Sequence, residues 1–410
     1  MILISHPTAN QNVRQAALAL AEAGLLEEFW TCVNWKEDGF LDRYLPFPAR
    51  VRKELRRRSF PRELKPFIRT FSWREWGRLL SGQLGFSWTT RNEAGLFSMD
   101  AVYFSLDRRI ARHLPSQRRI KAVYAYDNGA LESFRVAKRH GLKCIYEHPI
   151  VYWRKVREYQ REEAGLHPEW ASTLGALSDS EEKLARKDEE LALADVVIAP
   201  SAFSRDSLAH APHLKAAVQV IAYGAPPINR RAKPVQGGGK LRVLYVGALS
   251  QAKGLGYLLQ AAEGLAQQIE LTLIGHRVSS AIPEQRMLDR YRWIPSLPHG
   301  ELLEEMSRHD VLVLPSLHEG FGLVIPEGMA QGLVVITTPH TAGPDLIAEG
   351  IDGFIVPIRS AEAIEEKLER LIMDRNLLTE MKLAARRKAE TFSWETYRHQ
   401  LGSMARALIQ

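Results

Sequence analysis

Short runs of apolar residues alternate with longer mixed stretches through most of the chain. The apolar runs have the length of buried strands, and the mixed stretches have the length and charge of surface helices. The predicted strands lie at 2–5, 121–126, 143–146, 195–199, 218–221, 243–246, 271–274, 311–314 and 334–337. This alternation predicts parallel sheets that are covered by helices on both faces.

A polar segment divides this alternation into two halves. Residues 223–239 contain two prolines near their start and three consecutive glycines at their end, which is the composition of a linker. We therefore expect a first lobe at 1–222, a second lobe at 240–390 and a helical tail at 391–410. Because open parallel sheets bind ligands at the carboxyl ends of their strands, a cleft between the two lobes is the expected site.

The composition of the chain indicates its size class and its expected cellular location. The chain has 410 residues, of which 45% are hydrophobic, and this is enough for two cores. The two cysteines, Cys32 and Cys144, show no metal spacing, which fits a reduced cytosolic protein. The N-terminus reads as a strand and not as a signal peptide, and no apolar run approaches the roughly 18 residues of a membrane span. A cytoplasmic location is therefore expected.

Residues 41–80 differ from the rest because basic and aromatic residues are interleaved there. The basic residues are Arg50, Arg52, Lys53, Arg56, Arg57, Arg58, Arg62, Lys65, Arg69 and Arg74. The aromatic residues are Phe47, Phe60, Phe67, Phe71, Trp73 and Trp76. One interpretation is a solvated basic helix pair whose aromatic side chains pack inward. The other is a patch that binds an anionic membrane surface, the inner face of the cell membrane. No nucleic-acid partner is expected, because no nucleic-acid motif accompanies the patch.

The stretch 310–332 carries the clearest candidate chemistry. A buried strand at 311–314 is followed by a loop with Gly320 and Gly322, and a helix is predicted to begin at Pro326. Free backbone N–H groups gather between a strand end and a helix start, and the helix dipole favours an anion there. The two glycines would let the backbone approach a ligand closely.

Glu319 and Glu327 flank this loop, with seven residues between them. Carboxylates would repel a phosphate, but each can accept two O–H bonds from a hydroxyl-rich ligand. A site that offers amides to a diphosphate and carboxylates to hydroxyl groups matches the chemistry of a nucleotide sugar. The alternative is that both acids only complement the helix dipole.

Three motifs in this order resemble retaining glycosyltransferases of the GT-B fold, family 4. The first is the pair Glu319 and Glu327. The second is the segment 246–254, Val-Gly-Ala-Leu-Ser-Gln-Ala-Lys-Gly, which is similar to the phosphate-lysine loop of that family. The third is the segment 350–357, which resembles the family's last strand and turn. The resemblance implies two doubly wound Rossmann-like lobes, with the C-terminal helix crossing back to the first lobe.

The resemblance also implies roles for individual residues. Lys253 would neutralise the leaving diphosphate, Glu319 would hold hydroxyls of the transferred sugar, and Glu327 would bind the ribose. His148 would lie beside the sugar and the acceptor. The donor-binding amides would come from Gly320, Phe321, Gly322 and Leu323. No metal cofactor is expected, because the chain contains no Asp-x-Asp and a lysine with helix-terminal amides can replace the cation.

Two positions depart from the family pattern. The loop 5–8, Ser-His-Pro-Thr, lacks the glycine pair that members often place after the first strand. Ala248 stands where the family often has an arginine, and Arg277 is a candidate to supply the missing cation.

The sequence therefore predicts a retaining glycosyltransferase that moves a sugar from a nucleotide-diphosphate sugar to an acceptor. The acceptor would be a sugar or a lipid-linked or surface-polysaccharide intermediate. Two alternatives stay open at this point. One is a nucleotide-sugar epimerase or hydrolase of the same fold, and the other is an inactive partner that binds nucleotide sugars.

Overall fold

The computed structural model describes residues 1–8, 10–35, 55–56, 58–230, 239–278 and 290–410. Seven parallel strands form the first sheet, in the order β3-β2-β1-β4-β5-β6-β7. They are β1 (Ile2–Ser5), β2 (Leu26–Thr31), β3 (Ile68–Thr70), β4 (Ala122–Tyr126), β5 (Lys143–Glu147), β6 (Val196–Ala199) and β7 (Ala217–Val220). The central strands β1, β4 and β6 are buried along their whole length, as their continuous apolar runs predict.

Six parallel strands form the second sheet, in the order β10-β9-β8-β11-β12-β13. They are β8 (Leu241–Val246), β9 (Ile269–Ile274), β10 (Arg292–Ile294), β11 (Val311–Leu314), β12 (Val334–Thr337) and β13 (Gly353–Ile355). In both sheets the strand order reverses beside the first strand of the sheet, so a topological switch point lies at its carboxyl edge.

Helices cover both sheets. In the first half of the chain they are α1 (Gln11–Glu22), α2 (Trp73–Leu84), α3 (Met99–His113), α4 (Leu131–Arg139), α5 (Trp153–Leu166), α6 (Glu181–Leu193) and α7 (Ala202–Ser207). In the second half they are α8 (Leu255–Gly264), α9 (His299–Met306), α10 (Val324–Gln331), α11 (Gly343–Leu346), α12 (Ala361–Met373), α13 (Arg375–Ala389) and α14 (Trp394–Ile409). Two doubly wound lobes result, as predicted.

The sequence prediction differs from the structure at specific elements. Strands β2 and β3 were not predicted, because β2 carries two consecutive acids and β3 is a three-residue edge strand. The charge-rich stretch at roughly 154–194 was predicted to be one long helical region. Two 3-10 helices at Pro168–Thr173 and Gly175–Ser178 instead divide it into α5 and α6. The domain boundaries stay a prediction, and residues 231–238 of the proposed linker lie outside the described residues.

The last helix crosses back to the first lobe. Arg398 of α14 donates to Glu22 at 2.9 Å and to Gln15 at 2.7 Å, both on α1. Gly402 lets the two helices approach, because a Cβ there would lie 3.2 Å from the Cβ of Ala23. The predicted cross-back is therefore confirmed.

The basic aromatic segment at 41–80 is described only from Leu55 onwards, apart from Arg57. Most of its described aromatic side chains pack inward, which supports the first of the two interpretations for Phe60, Phe71 and Trp76. Arg58 is buried and pairs with the fully buried Glu75 at 2.8 Å.

Candidate functional site

The loop between β11 and α10 follows the predicted pattern of strand, turn and helix. The helix begins at Val324, two residues before the predicted start, so Pro326 lies within its first turn. Gly322 has a φ of +83°, which a glycine adopts without strain. The Phe321 ring is buried against the ring of Tyr223, at 5.2 Å between centroids.

The lysine loop lies beside this loop. After β8 the chain turns through a 3-10 helix at Gln251–Lys253 and then enters α8. The Leu317 N–H donates to the Ala252 carbonyl at 3.0 Å, so the two loops are joined through their backbones. The arrangement places the Lys253 side chain over the β11–α10 loop.

Lys253 and Glu319 form an ion pair between Nζ and Oε2. Both side chains are about one quarter exposed, so a ligand can reach them from solvent. The two groups that the resemblance assigns to phosphate and to sugar hydroxyls therefore touch each other in the ligand-free protein.

Glu327 is also paired. Its Oε1 lies 2.8 Å from Nε2 of His299, the first residue of α9. Glu327 is buried, whereas the His299 side chain is 46% exposed. The hydrogen bond to Glu327 raises the pKa of His299 above its ordinary value of 6.5. One oxygen of the Glu327 carboxylate is therefore already hydrogen-bonded to His299.

Arg277 lies next to the position where the family pattern expects an arginine. The Leu249 N–H donates to the His276 carbonyl at 2.9 Å, and Leu249 bridges to Arg277. The Arg277 guanidinium stacks over the Trp293 ring at 4.2 Å. Its Nε is buried and has no hydrogen-bond partner in the part of the chain that the structure describes. The position of Arg277 is thus compatible with the role proposed for it beside Ala248.

His148 lies at the carboxyl edge of the first sheet, directly after β5. Its side chain is buried, and burial lowers its pKa to about 4, so the ring is neutral at pH 7. Nδ1 is 3.8 Å from Asp127, and neither ring nitrogen has a hydrogen-bond partner among the described residues. The ring therefore keeps one donor and one acceptor that a hydroxyl-rich ligand would satisfy only after the side chains that cover the ring move apart.

The two lobes meet beside these residues. Ser201 Oγ donates to the Gly320 carbonyl at 2.6 Å. A Cβ at Gly320 would collide with the Pro149 carbonyl oxygen, so this glycine allows contact with the first lobe. Gly320 was predicted to allow close approach of a ligand, and the structure instead shows close approach of the backbone next to His148.

Sequence reasoning assigned no role to several polar residues at this edge. Asp127 directly follows β4 and pairs with Lys187 of α6 at 3.0 Å. His6 follows β1 and contacts the Tyr103 hydroxyl through Nε2 at 3.1 Å. Asp127 and His6 could have been identified from the sequence, because both follow predicted strands that end at the same edge of the sheet. Lys187 could not, because it lies in a helix.

Comparison with known proteins agrees with this geometry. Residues 228–388 match the family described as "Glycosyl transferases group 1". The chain carries a glycosyl transferases group 1 domain. The resemblance seen in the three sequence motifs is therefore confirmed, and the group 1 domain contains both loops that meet at Lys253 and Glu319.

Two curated relatives are similar over the same part of the chain. The amylovoran biosynthesis glycosyltransferase AmsK of Erwinia amylovora is 32% identical over 165 residues, which is 37% of this chain and 40% of that protein. The capsular polysaccharide biosynthesis glycosyltransferase CapM of Staphylococcus aureus is 29% identical over 179 residues, which is 40% of this chain and 46% of that protein. Both matches span less than half of the relative's length.

A solved structure extends the likeness to both lobes. Sucrose-phosphate synthase from Thermosynechococcus elongatus superposes with a TM-score of 0.69 at 18% identity, covering 99% of this chain and 98% of that one. The predicted GT-B fold is confirmed by this match. Among the described residues, no helix is long and apolar enough to cross a membrane. The same residues contain no group of three or more His, Cys, Asp and Glu side chains that could hold a metal ion.

Proposed function

We propose that this protein is a retaining glycosyltransferase that uses a nucleotide-diphosphate sugar as its donor. The observation that carries the proposal is the contact between Lys253 and Glu319 inside the group 1 domain. One loop supplies a cation for phosphate, and the other supplies a carboxylate for sugar hydroxyls. A nucleotide sugar is a ligand that needs both groups within a few ångströms of each other.

Donor binding would rearrange the two ion pairs of the site. The diphosphate would take Lys253, and amides from Gly320 to Leu323 would add N–H donors near the start of α10. Glu319 would then be free to accept sugar hydroxyls, and the second oxygen of Glu327 would accept from the ribose. The existing pairs keep these charges compensated until the donor arrives.

The transfer step that we propose is the front-face route favoured by the family resemblance. The bond between the anomeric carbon and the diphosphate oxygen breaks, and negative charge grows on the leaving diphosphate. Lys253 and the loop amides stabilise that charge. The acceptor oxygen bonds to the anomeric carbon on the face that the diphosphate leaves, and its proton passes to a leaving phosphate oxygen. The products are the nucleoside diphosphate and a glycoside with the original anomeric configuration.

We propose that the acceptor is a sugar or lipid-linked intermediate of surface-polysaccharide assembly, bound in the first lobe near His148. Support comes from AmsK and CapM, whose names place those two proteins in amylovoran and capsular polysaccharide biosynthesis. The neutral, buried His148 ring suits a hydroxyl rather than a charged acceptor group.

We also propose peripheral binding to anionic membranes, with its apolar part at α2 and the turn that follows. Large apolar side chains are exposed there, namely Trp73, Leu80, Leu84, Phe86 and Trp88. Arg74 stacks on Trp73 at 4.5 Å, and exposed cations such as Arg69 and Arg91 lie nearby in the chain. Basic charge beside interfacial aromatic residues favours an anionic bilayer surface.

The membrane proposal is tested by sedimentation with vesicles of phosphatidylglycerol and phosphatidylcholine. Replacing Leu84 and Trp88 by serine should reduce binding at both low and high salt, because salt does not screen apolar burial. Met373→Ser is the matched control, since Met373 is 87% exposed in the second lobe. Equal loss in control and variant, or no binding by the wild type at low salt, would contradict the proposal.

The proposed activity is tested with a panel of UDP-, GDP- and ADP-sugars. Thermal-shift screening first identifies the donor that stabilises the protein, and turnover is then measured with and without candidate acceptors. Nucleotide release that depends on an acceptor, with the anomeric configuration retained in the product, is the expected result. Sugar conversion without an acceptor would indicate an epimerase or hydrolase, and stabilisation without turnover would indicate a binding partner only.

The role of Lys253 and the amides also makes a metal ion unnecessary for this reaction. We predict that transfer continues in excess EDTA at its original rate. Loss of activity on chelation, restored by magnesium or manganese, would show that a cation and not Lys253 carries the charge of the leaving group.

A further inference from the structure

Helix α5 belongs to the first lobe, yet one of its faces contacts the second lobe. Tyr159 and Gln160 lie four and three residues before Glu163, so each of them neighbours Glu163 on the helix surface. Each makes a side-chain contact with a second-lobe residue, either His318 or Gln251, that lies next to a candidate site loop. The helix therefore reaches both donor loops from the opposite side of the cleft.

Glu163 is the centre of these contacts and is fully buried. Its Oε1 accepts from Gln251 Nε2 at 2.7 Å and from the Tyr257 hydroxyl at 2.8 Å. Its Oε2 accepts from Arg359 Nε at 2.7 Å. Both oxygens are thus satisfied by donors of the second lobe, which compensates for the cost of burying the carboxylate.

Gln251 connects this carboxylate to the catalytic lysine loop. It lies two residues before Lys253, and its backbone N–H donates to Thr173 Oγ1 of the first lobe at 3.0 Å. Its side-chain oxygen accepts from the Gly256 N–H at 3.1 Å, at the start of α8. The lysine loop is therefore held on both sides of Lys253 through one residue that binds Glu163.

The same helix holds the other donor loop through His318. Gln160 Nε2 lies 3.1 Å from His318 Nε2, and the Tyr159 ring stacks on the His318 ring at 6.4 Å. His318 directly precedes Glu319. Burial lowers the pKa of His318 to about 4, so its neutral ring accepts from the Gln160 amide at pH 7.

Arg359 completes this contact from the turn before α12. It has a φ of +62°, a left-handed conformation that a residue with a long side chain rarely adopts. Its guanidinium bonds Glu163 and also Glu162, at 2.9 Å. Strain of this kind persists where the surrounding contacts fix the residue, and it occurs most often at functional sites.

We infer that α5 is a positioning element for the donor site, with Glu163 as a positioning residue that acts on Lys253 through Gln251. The inference rests on the proposed function and assigns a role to residues outside the group 1 motifs. Through these contacts the first lobe holds both donor loops of the second lobe in place. The acceptor-side lobe would then control whether Lys253 and Glu319 stand in their working positions.

Hydrogen–deuterium exchange of the free protein tests the structural part of this inference. The backbone amides of Gln251 and Gly256 report directly on this contact. The Gln251 amide donates to Thr173, and the Gly256 amide donates to the Gln251 side chain. Glu163→Gln should speed exchange in a peptide spanning 251–256 by about tenfold, since a neutral amide holds Gln251 and Arg359 less strongly than the carboxylate does. Exchange in strand β11 should stay as in the wild type.

Glu158→Gln is the matched control for this experiment. Glu158 lies on the same helix, is exposed and pairs with Lys155 within α5 at 3.0 Å. Tyr257→Phe is a milder second variant, because it removes one hydrogen bond to Glu163 without changing charge. It keeps the test decisive if Glu163→Gln does not fold. Unchanged exchange in the 251–256 peptide of the variants would overturn the inference.

Calorimetry with UDP, GDP and ADP tests the functional part. The nucleoside diphosphate that binds the wild type most tightly should bind Glu163→Gln about tenfold more weakly, and Glu158→Gln with unchanged affinity. Faster exchange together with unchanged affinity would overturn the positioning role and leave α5 as a lobe contact only. If the wild type binds none of the three diphosphates, the proposed function fails, and the exchange result alone decides whether α5 holds the loops.

Discussion

The two lobes prepare their candidate site residues in different ways. In the second lobe, the charged side chains of the site form ion pairs with each other. In the first lobe, His148 is neutral and buried, and it has no hydrogen-bond partner among the described residues. Lys253 pairs with Glu319, and Glu327 pairs with His299. A charged group in solvent reach gains from a local counter-ion until its ligand arrives. A neutral ring needs no counter-ion, and the neighbouring Asp127 is paired with Lys187 instead.

This difference predicts that substitutions in the second lobe affect the donor and those in the first lobe affect the acceptor. The largest effect is expected for Lys253→Ala. Loss of the cation beside the leaving diphosphate should lower kcat about 10³-fold, close to 4 kcal/mol of transition-state stabilisation. Steady-state kinetics measures this, with Lys240→Ala as a control for an exposed lysine of the same lobe. A kcat within a factor of three of the wild type would remove Lys253 from the site.

The next largest effect is expected for Glu327→Ala. If Glu327 accepts from the ribose, donor binding should weaken by about 2–4 kcal/mol, because bonds to a charged group contribute roughly 1.5–3 kcal/mol each. Calorimetry with the donor found in the panel measures this loss. Glu349→Ala is the control, an exposed acid of the same lobe. Unchanged donor affinity in Glu327→Ala would contradict its assignment to the ribose.

His148→Ala should lower kcat by about 10- to 100-fold, through one or two hydrogen bonds to the reacting sugars. Nucleoside diphosphate affinity should stay the same, since that ligand would bind the second lobe. His140→Ala, an exposed histidine after α4, serves as the control. A matching loss of diphosphate affinity would show that the division between the lobes is wrong.

The pH dependence of the two histidines should differ as well. Because the pKa of His148 is about 4, its ring stays neutral from pH 9 down to about pH 5, and activity should not fall in this range because of His148. Activity that drops near pH 6.5 in the wild type and not in His148→Gln would contradict a neutral, buried ring.

The smallest effect concerns stability through His299. Its pKa is raised in the folded state by Glu327, so the stabilisation is present below pH 6.5 and is lost as the pH rises through the folded pKa. His299 is half exposed, so solvent screens the pair and we expect only about 0.3 kcal/mol. Urea unfolding of the wild type and His299→Gln at pH 5.5 and pH 9 should show this difference at the lower pH only. A larger difference in unfolding free energy at pH 9 than at pH 5.5 would contradict this prediction.

The donor loops were predictable because their signals are local. A strand, two glycines and a helix start follow one another between residues 311 and 331, and the carboxylates lie in the same stretch. The contact of Lys253 with Glu319 was not visible in the spacing itself, but it follows from two loops at the carboxyl ends of the adjacent strands β8 and β11.

The α5 contacts could not be predicted in this way. Glu163 lies 88 residues before Gln251 and 196 residues before Arg359. Its own helix is rich in charge, which is the pattern of a solvated surface, and nothing in the local sequence distinguishes Glu163 from its exposed neighbours Glu158 and Glu162. Only the folded arrangement shows which acid of α5 is buried. For the same reason, Arg58 looked like a surface cation and proved to be buried against Glu75.

The cross-back of α14 has a consequence for how the chain can be divided. Leu401, Gly402 and Ala405 are buried, and α14 packs along α1. A fragment that stops before α14 would therefore leave an apolar face of the first lobe in water, even though the fragment contains every strand of the first sheet. During synthesis, that face of the first lobe would stay exposed to water until the final residues of the chain have been made. Recombinant lobes meant to be studied separately would need this helix joined to the N-terminal half.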